Sequence, residues 1–155
     1  MKLLIVEDDE NKRKQLQAYI RELSPDAEIV VRNSYSSGLR EIVGAKHDVV
    51  LLDMTMPTYD IGVDEDGGRP QHYAGRSILQ QMQRRSIIRP VIIVTQFDVF
   101  GEGGERLTRH QLDDQLRADH PSIYLGTVYY NPAIDGWKSE LRLLLSSLLD
   151  KARAM

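Results

Sequence analysis

Val49-Val50-Leu51-Leu52-Asp53-Met54-Thr55-Met56-Pro57 runs from four apolar residues into one carboxylate and then into a turn. A second stretch, Leu3-Leu4-Ile5-Val6-Glu7-Asp8-Asp9, has the same form: four apolar residues, then acid. Short continuous Val/Ile/Leu runs mark strands buried on both faces, the pattern of a parallel sheet covered by helices. If both runs are parallel strands, their carboxyl ends share one edge. Asp8 and Asp53, 45 positions apart in the chain, then face the same space.

Three further runs complete the set: Ala27–Val31, Val91–Val94 and Ile123–Tyr130. The segments between them carry helical spacing. Leu16, Tyr19, Ile20 and Leu23 fall at i, i+3, i+4 and i+7 within Asn11–Leu23, one stripe on a helix. Ser36–Ala45 carries Leu39, Ile42 and Val43, Gly75–Arg85 carries Ile78, Leu79 and Met82, and Trp137–Ala152 carries Leu141, Leu144, Leu145, Leu148 and Leu149. Strand alternating with helix five times predicts an α/β fold with helices on both faces of a parallel sheet. Right-handed crossovers place every strand's carboxyl end on one edge, where ligands of such sheets bind.

Composition narrows the function classes. The 155 residues suit one domain, over 1–155, which buries roughly 68–70% of its unfolded surface. Net charge is −3 with no long basic run, so the footprint of a nucleic-acid binder is missing. The absence of cysteine excludes disulfides, thiolate metal sites and cysteine nucleophiles. No apolar stretch approaches the roughly 20 residues of a membrane span, and the amino terminus is too soon acidic for a signal peptide. A cytoplasmic protein with no membrane partner is the expectation.

Two long inserts interrupt the compact plan, at about 58–73 and 97–120, and both border the acidic edge. The first contains Asp60, Asp64, Glu65 and Asp66; the second contains a helix start at Thr108, an N-cap with Gln111 three residues later. Gly101 to Gly104 lacks the Lys-Ser/Thr pair of a P-loop and is set aside.

Carboxylates that converge on one edge repel one another, and a fold tolerates them by raising a pKa or binding a cation. Oxygen ligands of this kind suit Mg²⁺, which keeps several waters and takes one or two carboxylates. Asp8 and Asp53 are expected to ligate Mg²⁺ directly, Glu7 through water, with the Thr55 backbone carbonyl as a further oxygen. Thr95 ends the fourth run and brings a hydroxyl to the same edge. A metal beside a carboxylate lets that carboxylate attack phosphorus, and aspartyl phosphate is an established covalent intermediate.

Leu3 to Glu10, Leu51 to Pro57 and Pro90-Val91-Ile92-Ile93-Val94-Thr95 together resemble the receiver domain of bacterial two-component response regulators. The resemblance implies a flavodoxin-like doubly wound sheet of strand order 2-1-3-4-5. It implies a signalling domain and not an enzyme, beyond Mg²⁺-dependent self-phosphorylation and self-dephosphorylation. Asp53 is then the phosphoacceptor, served by a histidine kinase or phosphotransfer protein, Glu7 and Asp8 are metal-binding acids, and Thr95 is the switch hydroxyl. The chain ends just after the last helix, so either a downstream protein effector reads the signal or the chain is one domain of a longer protein. A homodimer through that helix, anchored by Trp137, is a further expectation.

The chain departs from that pattern at the fifth strand. Receivers carry Lys followed by Pro there; this chain has Asn131-Pro132, a hydrogen-bond donor without charge. Arg69 and Arg76 are the substitute cations considered. The aromatic position three residues earlier is Val128, and Gln96 follows Thr95 where a small residue is usual. Two further readings therefore stay open: a phosphorylation-independent interaction module, and a Mg²⁺-dependent phosphohydrolase of similar topology. The second is weakened because Asp53-Met54-Thr55 lacks the second aspartate that such enzymes use.

Overall fold

The structure is a computed structural model and describes residues 1–60, 70–101 and 103–154. Among these residues the main sheet has five parallel strands: β1 (Lys2–Val6), β2 (Glu28–Arg32), β3 (Val49–Leu52), β6 (Val91–Thr95) and β9 (Tyr124–Tyr129). Their spatial order is β2-β1-β3-β6-β9, which is 2-1-3-4-5 when only these strands are counted. The expected doubly wound sheet is therefore present. β1, β3 and β6 read as unbroken Val/Ile/Leu because both of their faces are covered. Leu4, Val6, Val50, Leu52, Val91 and Ile93 face one layer; Leu3, Ile5, Val49, Leu51, Ile92 and Val94 face the other. Each such side chain contributes about 1.5–3 kcal/mol by leaving water.

Helices α1 (Glu10–Leu23) and α5 (Gly136–Ala154) cover the second face with Leu16, Ile20, Leu141, Leu145 and Leu149. Helices α2 (Tyr35–Gly44), α3 (Ala74–Arg84) and α4 (Arg109–Asp119) cover the first with Ile42, Ile78, Leu79, Met82, Leu112 and Leu116. Thr108 caps α4 as the spacing predicts: its Oγ1 accepts from Gln111 N–H, and Gln111 Oε1 accepts from Thr108 N–H. The span 97–120 is thus not one insert, because its second half is α4 itself. Its first half is a ribbon in which β7 (Val99–Phe100) pairs antiparallel with β8 (Leu107–Thr108).

The earlier insert is also anchored by a ribbon. β4 (Met56–Pro57) pairs antiparallel with β5 (Pro70–Gln71), directly after Asp53. Of the acidic loop, Asp60 accepts a hydrogen bond from Ser37 Oγ at 2.8 Å. Asp64, Glu65 and Asp66, together with Arg69, lie outside the described residues.

Trp137 does not stand on the surface as an interface anchor. It is 2% exposed and packs between the rings of Tyr19 (centroids 5.5 Å apart) and Tyr130 (5.2 Å). An indole at the start of α5 fills the gap beside β9, where burial of so large a ring outweighs exposure. On α5 the exposed large apolar side chain among the described residues is Leu143.

Candidate functional site

The register of the sheet builds the site. Val6 pairs with Leu52, so Glu7 and Asp53 leave their strands side by side, and Asp53 N–H donates to the Val6 carbonyl at 3.0 Å. Carboxylate oxygens of Glu7, Asp8 and Asp53 come within 4.8 Å of one another. Asp8 is exposed, whereas Glu7 and Asp53 are buried, 2% and 5% exposed. Asp9 turns away to cap α1, accepting from Asn11 N–H at 3.1 Å. Gly75 lets α3 approach: a Cβ there would sit 2.9 Å from the Asp53 carbonyl oxygen, and Gly75 N–H donates to the Met54 carbonyl at 3.0 Å.

A residue that the sequence reading passed over lies at the centre. Lys12 is 1% exposed, and its ammonium stands 2.5 Å from Glu7 Oε1 and 3.5 Å from Asp53 Oδ2. It also donates to the Val94 carbonyl at 2.7 Å, next to Thr95. The signal was in the pattern: Lys12, Leu16 and Ile20 are spaced i, i+4, i+8, so the cation lies on the buried stripe of α1. It also occupies the first turn of that helix, where the macrodipole disfavours positive charge. The surrounding acids offset that disadvantage.

Three carboxylates face this one ammonium, and the protonation equilibria record the imbalance. Burial and the Asp53 charge push Glu7 up to about 8, against the opposing pull of Lys12. Burial likewise raises Asp53, Lys12 opposes the shift, and Asp8 adds to it. For Lys12 the balance runs the other way: burial works against its charge, but Asp53 and Glu7 hold the ammonium above its ordinary value. Among the described residues, Glu7 Oε1 and Asp53 Oδ1 are the buried side-chain oxygens without a hydrogen bond. Glu7 Oε1 has the ion contact to Lys12, so Asp53 Oδ1 is the atom with neither.

Thr95 is buried at the end of β6, on the same edge, and its hydroxyl oxygen accepts from Phe97 N–H at 3.2 Å. Thr55 Oγ1 donates to the His72 carbonyl at 3.1 Å. Asn131 bonds locally: its Oδ1 accepts from Ala133 N–H at 3.0 Å, turning the chain after β9. Arg76 does not supply the missing charge at Asp53. Its guanidinium lies 4.0 Å from the Tyr73 ring centroid and reaches Gln115. Val128 is fully buried in the core, Gln96 is exposed, and Tyr129 lies under Arg109 with 4.5 Å from guanidinium carbon to ring centroid.

No family model matches the chain. A relative, the Detocs response regulatory protein DtcB of Enterobacter cloacae (strain JD6301), is 33% identical over 91% of this chain and 95% of its own length. The chain belongs to the response-regulator receiver family. Solved structures agree on the fold of this receiver. The response regulatory domain of mrkE from Klebsiella pneumoniae superposes with a TM-score of 0.63 at 18% identity, covering 100% of both chains. The response regulator TrrA from Thermotoga maritima, solved in complex with Mg²⁺ and BeF, gives 0.54 at 17% identity, over 93% of this chain and 98% of that one. No helix among the described residues is long and apolar enough to cross a membrane.

Proposed function

We propose that Asp53 is the phosphoacceptor of this receiver. A histidine kinase or phosphotransfer protein supplies the phosphoryl group, Mg²⁺ assists, and a protein partner reads the result. The observation that carries this reading is Asp53 itself: a buried carboxylate whose Oδ1 has no partner, at the ligand-binding edge of the sheet. In the transfer, an Asp53 oxygen forms the new O–P bond as the donor's N–P bond breaks and its electron pair returns to the imidazole. Thr95 offers its hydroxyl proton to a phosphoryl oxygen, since the hydrogen bond it already makes uses only its oxygen.

The acidic set fits Mg²⁺. Glu7, Asp8 and Asp53 supply only oxygen donors, in negative excess over the one ammonium, and Asp8 reaches solvent, where a metal enters with its waters. The Thr55 carbonyl belongs to the same proposed set. When bound, the metal neutralises charge on the phosphoryl oxygens. The complex of TrrA with Mg²⁺ and BeF supports the assignment by analogy of fold.

The test is incubation with acetyl phosphate and Mg²⁺, followed by intact mass. Wild type should gain one base-labile phosphoryl group, and Asp53→Asn should gain none. Wild type without the gain overturns the proposal and leaves a binding module that works without phosphorylation; an adduct that survives Asp53→Asn overturns Asp53 as the acceptor.

A further inference from the structure

We propose that Lys12, carried on α1, supplies the positive charge that pairs with the phosphoryl group on Asp53, the charge that Asn131 lacks. The inference rests on the phosphoacceptor reading of Asp53 and deepens it.

Placement is the first argument. The ammonium already lies 3.5 Å from Asp53 Oδ2, and its hydrogen bond to the Val94 carbonyl fixes it beside Thr95. Its other side faces the ring of Tyr130, 5.8 Å from the centroid, and Tyr130 immediately precedes Asn131. The charge therefore arrives from the opposite wall at the strand end where Asn131 is turned toward Ala133. Tyr130 is itself held to α1, since its hydroxyl donates to Gln15 Oε1 at 2.9 Å.

Energetics is the second. Phosphorylation turns the Asp53 carboxylate into an acyl phosphate with up to two negative charges, a net gain of about one in a pocket that keeps the Glu7 and Asp8 carboxyl groups. In a buried site, that charge requires a cation with hydrogen-bond donors aimed at it. Arg76 is committed elsewhere, which leaves Lys12 as the cation in contact with Asp53 among the described residues. An ammonium has three donors, so Lys12 keeps Val94 and still offers two to Glu7 or to phosphoryl oxygens. Phosphorylation would draw it from Glu7 toward the new charge, a movement at the amino end of α1. The same ammonium holds Asp53 Oδ2, so the unpartnered Oδ1 is the oxygen left free to attack.

The experiment compares phosphorylation rates with acetyl phosphate and Mg²⁺ in wild type, Lys12→Met and the double variant Lys12→Met/Asn131→Lys. Folding of each is followed by thermal melting. Lys12→Met should slow the reaction by roughly ten- to a hundredfold, the scale of one charge-assisted hydrogen bond. A lysine at 131 should restore at least a tenfold part of it, which a merely structural role for Lys12 does not predict. If Lys12→Met fails to fold, Glu7→Gln/Lys12→Met is compared with Glu7→Gln, so that no buried Glu7 charge is left unpaired. Equal rates within either pair overturn the assignment of Lys12 while leaving Asp53 as phosphoacceptor. A wild type that does not react removes both.

Discussion

Two clusters of charge are built into this receiver, one beyond the carboxyl ends of β1 and β3 and one where the chain enters β3 and β6. In the second, Glu41 Oε1 receives Arg32 Nη2 at 2.8 Å and Glu41 Oε2 receives His47 Nε2 at 2.9 Å. Arg89 Nη1 donates to His47 Nδ1 at 3.1 Å, so the imidazole is neutral with its proton on Nε2. Both carboxylate oxygens and both ring nitrogens are matched. The first cluster has Glu7, Asp8 and Asp53 around Lys12, with Asp53 Oδ1 left over. That fully hydrogen-bonded group fastens α2 to β2 and to the loops into the sheet. A buried carboxylate oxygen without a hydrogen bond is a demand for a ligand, and it marks the candidate site.

The comparison is broken most forcefully at Lys12. Lys12→Met strands two buried carboxylates once Glu7 is ionised, and should cost about 3–5 kcal/mol in denaturant melts at about pH 9. Glu7→Gln/Lys12→Met should recover most of that loss, since it removes both members of the closest pair. A small cost for the single variant would mean that the acids take up protons instead.

Removing one carboxylate from each cluster should have opposite signs. Glu41→Gln removes the charge facing Arg32 and leaves one acceptor oxygen for Arg32 and His47 in place of two, and should destabilise by about 1–2 kcal/mol, discounted because Arg32 is 40% exposed. Asp53→Asn should stabilise the metal-free protein by about 1 kcal/mol. The sign follows from its raised pKa: above the ordinary carboxylate value, the ionised side chain is less favourable in the fold than in the open chain. Mg²⁺ should raise the melting midpoint of wild type by binding the folded state, and Asp53→Asn should lose that response. Equal signs at 41 and 53 would erase the distinction between the clusters.

The smallest effect concerns pH. Burial lowers the His47 pKa, with Glu41 opposing and Arg89 adding to the shift. A lowered folded value means that its contribution is complete above pH 6.5 and is lost as pH falls through the folded value. Wild type should therefore lose more stability than His47→Gln between pH 7.5 and 5, and parallel losses would contradict the neutral imidazole.

These contrasts also show what the sequence could carry. β1, β3 and β6 were legible because strands buried on both faces need uninterrupted Val, Ile and Leu. Asp53 and Thr95 were legible because they close those runs. The ribbons β4–β5 and β7–β8 were not, since two-residue strands have no period and their pairing is set by the loop ends. Trp137 was misplaced because α5's spacing locates a face but not the aromatic neighbours Tyr19 and Tyr130 that close over it. Lys12 was missed for a related reason. A lysine ahead of an apolar stripe reads as solvated until the acids across the chain are known to converge on it.

The most direct test of Asp53 as phosphoacceptor is to map the modified residue. After reaction with acetyl phosphate and Mg²⁺, borohydride reduces an aspartyl phosphate to homoserine, which peptide mass spectrometry locates. Homoserine at position 53 alone is the predicted result; homoserine at Asp8, or at no position, contradicts it.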